Sequence, residues 1–156
     1  MTSPEPLKFA TNPWPGFDPL YVARDKGYFE EAGLTVALVD LTSIGASRRA
    51  LERGQVDGCG ATLVEILLAA DQSGLRPQIA AVVDYSNGAD VLIGTAAMRN
   101  PADLRGRRVA IEPGTLHIQL LALALASVNL GIRDVILVPM PQNAMPVAFA
   151  DGMVAA

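Results

Sequence analysis

The chain has 156 residues, enough for one or two small domains, with 51% apolar and 18% charged residues, a globular balance. A net charge of −4 and a pI near 4.9 exclude a broad basic surface for nucleic acid. No apolar stretch reaches the ~20 residues of a membrane helix; the longest, Leu116 to Leu130, is interrupted by His117, Gln119, Ser127 and Asn129.

Strand and helix signals alternate along the chain with short links, the pattern of an α/β protein. Leu7 to Thr11 predicts a strand, ended by Asn12-Pro13-Trp14-Pro15-Gly16. Asp18-Pro19 then opens a helix, Asp as cap and Pro at the first helical position, which brings Leu20, Tyr21, Arg24 and Tyr28 near one stripe and stops at Gly33. Leu34 to Leu41 alternates as a strand. Ser43 caps a helix from Ile44 to Arg53, and Thr62-Leu63-Val64-Glu65 has capping-box spacing for a helix ending at Gly74. Gln78 to Asp84 and Val91 to Thr95 read as strands around the turn residues Tyr85-Ser86-Asn87-Gly88-Ala89-Asp90.

From Asn100-Pro101 the pattern restarts: a helical turn, a strand from Arg108 to Ile111, a turn at Gly114, a helix from Thr115 to Val128 and a strand from Val135 to Pro139. The last residues, Phe149-Ala150-Asp151-Gly152-Met153-Val154-Ala155-Ala156, echo Leu51-Glu52-Arg53-Gly54-Gln55-Val56-Asp57-Gly58. Each copy reads as a helix end, a Gly stop and a residue pair feeding a buried strand. The two half-matching units suggest a two-lobed protein present only in part. The lobe boundary is expected between Met98 and Arg105 on the spacing alone.

Four polar links follow strands and precede helices: Asn12 to Asp18, Thr42 to Ser47, Ala61-Thr62, and Glu112 to His117. In an open α/β sheet such links gather at the carboxyl ends of the strands, and each delivers a helix N-terminus that favours an anion. Ser43, Thr62 and Thr115 either face a ligand there or simply cap their helices. Trp14, between two prolines, either stacks on a ligand or anchors in the core. Asp84 and Asp90 either receive an amine or organise the turn at Asn87-Gly88.

Other chemistries are poorly supported. Glu112-Pro113-Gly114-Thr115 lacks the Gly-x-x-x-x-Gly-Lys-Ser/Thr phosphate loop. Arg105-Gly106-Arg107-Arg108 reads as a solvated turn. One histidine, His117, has no second His or Cys at metal-ligand spacing and no Ser or Cys partner for a triad. The single cysteine, Cys59, reads as a buried inert thiol. No catalytic residue, metal or cofactor is therefore expected.

The block from Trp14-Pro15-Gly16-Phe17-Asp18-Pro19-Leu20-Tyr21-Val22-Ala23 through Arg24-Asp25-Lys26-Gly27-Tyr28-Phe29, with Glu31-Ala32-Gly33-Leu34 after it, resembles the ABC-transporter solute-binding proteins of the nitrate/sulfonate/taurine and thiamine-pyrimidine-precursor group. Gly54-Gln55-Val56-Asp57, Asp84 to Asp90, Leu104 to Ala110 and Glu112-Pro113-Gly114 agree in order. The resemblance implies the type II periplasmic-binding-protein fold: two α/β lobes with central mixed sheets, the first over residues 1–94 without its C-terminal return, the second, over 95–156, incomplete. It places the ligand loops at Trp14 and Gly16; at Ser43, Gly45 and Ser47; at Thr62; at Asp84, Ser86, Asn87 and Asp90; and at Gly114, Thr115 and His117. Where relatives carry Asp after the second Gly-x-Val, this chain has Ala155.

The resemblance further implies capture of a small anionic or zwitterionic solute between two lobes, for an ABC permease. Two alternatives remain: a thiamine-pyrimidine synthase-like enzyme, and a ligand-sensing relative that meets no transporter. The synthases resemble one another in a Cys-rich motif and a first-lobe histidine, neither of which is found here. Apolar surface left open by missing strands predicts a homodimer through the incomplete lobe, by swapping of elements. The N-terminus shows no basic segment with an apolar one after it. The expectation is a cytoplasmic protein if the chain is native as given, and a periplasmic or extracytoplasmic one if a leader has been trimmed.

Overall fold

The computed structural model describes residues 5–156; residues 1–4, included in the expected first lobe, lie outside the described residues. The chain divides into two α/β units, the first running to Tyr85 and the second from Ser86 to Ala156. The division falls ahead of the boundary expected at 94/95. Leu92 packs against the core of the second unit, and the Thr95 N–H donates to Ala155 O (3.3 Å), so the segment after Tyr85 is tied to the second unit.

In the first unit β1 (Leu7–Thr11) is the central strand of a three-stranded parallel sheet, between β2 (Val36–Asp40) and β3 (Gly58–Cys59). Between the first two strands lie a 3₁₀ turn over Pro15–Phe17, α1 (Asp18–Asp25) and α2 (Tyr28–Glu31). The expected single helix to Gly33 is thus divided. Asp18 is the first residue of α1 and not its cap, because the 3₁₀ turn leads into it and the Asp18 N–H already donates to Pro15 O. Helix α3 (Ile44–Glu52) is capped by Ser43, whose Oγ accepts from the Ala46 N–H (3.2 Å). Helix α4 (Leu63–Ser73) opens with the expected capping box: the Thr62 N–H donates to Glu65 Oε2 (2.9 Å), and the Thr62 hydroxyl bonds the same carboxylate. Ala10, Ala50 and Val56 form the core, flanked by Val39, Leu41, Leu51 and Cys59.

The second unit repeats the plan. A 3₁₀ turn over Pro101–Leu104 precedes β4 (Arg108–Ile111), α5 (Leu116–Ala126), β5 (Ile136–Pro139) and α6 (Met145–Ala150), with β4 and β5 parallel. Its core joins Val109 and Ile111 of β4 to Leu121 and Leu125 of α5, with Leu104, Leu130 and Val135. All strand pairings among the described residues are parallel, where mixed sheets were expected, because a helical crossover separates each strand from the next.

The segments 78–84 and 91–95, expected as strands, form none. Ile79, Val82, Val83, Val91 and Ile93 are each more than half exposed, and no strand among the described residues pairs with them. Alternating apolar residues mark an extended segment, but a ladder needs a neighbour to accept its N–H groups.

The sequence echo is a structural one. Both α3 and α6 close on the same two bonds: Gln55 N–H to Ala50 O (2.9 Å) with Gly54 N–H to Leu51 O (3.0 Å), and Met153 N–H to Ala148 O (2.9 Å) with Gly152 N–H to Phe149 O (3.1 Å). Such a closure puts its glycine in the left-handed region, and φ is +65° at Gly54 and +69° at Gly152. The chain then lands beside the central strand in the same register. The Asp57 N–H donates to Lys8 O and the Ala155 N–H to Arg108 O, both at 2.8 Å. One difference stands out: Asp57 Oδ2 also accepts from the Lys8 N–H (2.8 Å), whereas Ala155 offers Arg108 no such acceptor. We predict that Asp57→Ala destabilises the fold by about 0.5–1.5 kcal/mol and that Ala155→Asp stabilises it by a similar amount. Urea unfolding checks both; an unchanged midpoint for each would refute the side-chain contribution.

Candidate functional site

The carboxyl ends of β1 and β2 lie side by side, with Thr11 in register with Asp40. Thr11 is fully buried, and its Oγ1 lies 2.5 Å from Tyr21 Oη and donates to Asp40 Oδ1 (3.2 Å). The Tyr21 hydroxyl also donates to Asp40 Oδ1. Two hydroxyl protons serve three contacts, so the Asp40 carboxylate is the acceptor on which the cluster converges. That bond raises the Tyr21 pKa above its ordinary value; the Thr11 hydroxyl opposes it and burial adds to it. The phenol is therefore held protonated. The Arg24 guanidinium lies 5.3 Å from the centre of the Tyr21 ring and is paired with Asp25 at 2.8 Å.

Beyond Thr11 the chain turns through Asn12-Pro13-Trp14-Pro15. The Trp14 Nε1–H donates to Asp84 Oδ2 (3.2 Å), while Asp84 Oδ1 accepts from the Tyr85 N–H (2.7 Å). Gly16 lies directly against the indole: a Cβ there would stand 2.6 Å from Trp14 Nε1 and 3.3 Å from Asp84 Oδ2. A glycine is what lets this pair close. Trp14 thus bridges to a carboxylate and is not sunk in the core. Beside it opens a cleft of ≈ 560 Å³ whose lining includes Asn12, Trp14, Asp18, Tyr21 and Asp40.

Of the residues expected at ligand loops, the structure brings Trp14, Gly16 and Asp84 together. Ser43, Gly45 and Ser47 lie on the first turn of α3 and are buried. The Ser47 hydroxyl donates inward, to Ser43 O (3.3 Å) and Thr11 O (3.5 Å), tying α3 to the end of β1. Thr62 is engaged with Glu65.

Ser86, Asn87, Asp90, Gly114, Thr115 and His117 belong to the second unit. The first three are exposed. Thr115 is buried; its hydroxyl donates to Glu112 O (2.8 Å) and accepts from the His117 N–H (3.4 Å) at the head of α5. His117 Nδ1 accepts from the Glu112 N–H (3.2 Å).

The sequence places Asn12 and Asp18 at the two ends of a polar link, but its patterns do not single out Tyr21 and Asp40 as ligand residues. The available signal was positional: Thr11 and Asp40 are the polar residues that close two adjacent apolar strands. Among the described residues no group of His, Cys, Asp and Glu is placed to hold a metal ion. Burial pushes the Cys59 thiol up to about 11, so it stays protonated.

The NMT1/THI5-like family model matches residues 14–156. No curated protein sequence matches the chain. Among solved structures, the alkanesulfonate-binding protein SsuA from Xanthomonas axonopodis pv. citri, bound to MOPS, superposes with a TM-score of 0.75 at 22% identity, over 99% of this chain and 54% of that one. The periplasmic aliphatic sulphonate-binding protein SsuA from Escherichia coli gives 0.64 at 20% identity, over 98% and 50%. A nutrient-binding protein from Burkholderia cenocepacia, bound to methionine, gives 0.55 at 16% identity, over 93% and 68%. The chain therefore has the type II periplasmic-binding-protein fold and spans about half the length of the two sulfonate-binding structures.

Proposed function

Since the chain belongs to the NMT1/THI5-like family, we propose that it is a solute-binding protein that captures a small anionic or zwitterionic solute for an ABC importer. The observation that carries this proposal is the cleft at the carboxyl ends of β1 and β2, with Trp14 held over Gly16 by Asp84. An open α/β sheet binds ligands at that edge. MOPS and methionine, bound to two of the similar structures, each pair an acidic group with a basic nitrogen, and they support a solute of that kind. Sulfonates, taurine, nitrate and pyrimidine-like compounds are the candidates. Capture between two lobes, presentation to a permease and a periplasmic or extracytoplasmic setting belong to the same proposal. Among the described residues no helix is long and apolar enough to cross a membrane.

Binding is favoured over catalysis. His117 uses Nδ1 on a backbone amide and Cys59 is held as a thiol, so neither is an activated nucleophile. The two sulfonate-binding structures and the methionine-bound one are binding proteins.

A thermal-shift panel with taurine, alkanesulfonates, nitrate, bicarbonate and aminopyrimidines at millimolar concentration tests the proposal. A ligand at a hundredfold over its dissociation constant stabilises by about 2.7 kcal/mol, or roughly 2–8 °C at this size. At least one compound is expected to give such a shift. A well-folded protein that responds to none would overturn the proposal for this chain.

We propose in addition that two copies associate through the extended segment holding Ile79, Val82 and Val83, whose exposed apolar side chains can pack against a second copy. Light scattering at micromolar concentration should give the mass of a dimer; a monomer would count against the association.

A further inference from the structure

The cleft beside Trp14 offers acceptors and ring faces, and the side-chain donors of Trp14 and Tyr21 are already spent. The Trp14 Nε1–H is given to Asp84, and the Tyr21 hydroxyl to Asp40. The Thr11 hydroxyl beneath them also donates to Asp40. Acceptor capacity remains for a guest: the carboxylates of Asp18 and Asp40 and the side-chain oxygen of Asn12. Asn12 Oδ1 is buried and has no hydrogen-bond partner among the described residues. Asp18 caps no helix and forms no ion pair among the described residues. Among the described residues no Lys or Arg lines the cleft.

Asp18 also occupies the first position of α1. Its negative charge there offsets the positive end of the helix dipole, so this helix start does not serve as an anion site. Trp14 and Tyr21 add ring faces that attract cations, and the protein's own Arg24 already uses Tyr21 in this way.

We infer that this cleft is a subsite for the positively charged nitrogen of the solute, an organic ammonium or amidinium, with Asp18 and Asp40 as counter-charges and Trp14 as its ring face. The inference rests on the proposed solute-binding function and adds to it that the solute carries a cation. A simple anion such as nitrate meets like charge here, whereas a zwitterion places its nitrogen in the cleft and its acid group outside.

Titration calorimetry of the full chain with three probes tests this: taurine, which has an ammonium and a sulfonate; ethanesulfonate, which lacks the ammonium; and benzylammonium, which lacks the acid. Taurine and benzylammonium should bind, and ethanesulfonate should be at least about tenfold weaker than taurine. Asp18→Asn, at an exposed residue, should weaken both ammonium probes by about tenfold and should not weaken ethanesulfonate. Asp40→Asn should weaken them too, with circular dichroism confirming the fold because Asp40 also holds Thr11 and Tyr21. Ethanesulfonate binding as tightly as taurine, or an Asp18→Asn protein with unaltered affinity for both ammonium probes, would remove the cation subsite and leave solute binding standing. Binding of none of the three probes, together with a silent thermal-shift panel, would remove both.

Discussion

Parallel pairing of β1 with a strand on each side is the constraint on which the site depends. Parallel neighbours end at the same edge of a sheet, and the helices that return the chain begin there. The register of Thr11 with Asp40 sets two polar strand ends next to each other, and α1 then brings Tyr21 over both. Asp40 would be an ordinary surface carboxylate if β2 slipped by one residue, because every side chain of the strand would change face. A cleft with this chemistry is thus a product of register as much as of residue type.

The second unit shows the same construction applied to another chemistry. Its strand β4 is followed directly by Glu112, a buried carboxylate that accepts from the Gln142 N–H (3.4 Å), and the next turn is closed by Thr115 and His117. The two helix closures at Gly54 and Gly152 and the matching landings of Asp57 and Ala155 show one plan used twice. The polar residues at the strand ends differ, so the two units offer different groups at equivalent positions.

Local chemistry was legible in the sequence where it is decided locally. Ser43, Thr62 and Thr115 were readable as helix caps because a cap needs only its next few residues, and all three cap their helices. Ser43 and Thr115 are also buried. The block around Trp14 falls on the loop that lines the cleft. The partner of Trp14 is Asp84, seventy residues away, and neither that contact nor the union of Thr11, Tyr21 and Asp40 can be read from spacing along the chain. Segments 78–84 and 91–95 failed for the opposite reason. Their apolar alternation signals an extended chain, but the neighbour that makes a strand of it has to come from elsewhere.

Trp14 is the only tryptophan, so a nitrogen-15 correlation spectrum carries a single indole signal from the lining of the cleft. Titrating taurine while following that signal tests most directly whether solute meets the protein at the edge of the first sheet. The indole resonance should move progressively and saturate, together with the backbone amides of Asn12 and Asp40. Measurable binding that leaves all three signals in place would contradict a site at this cleft.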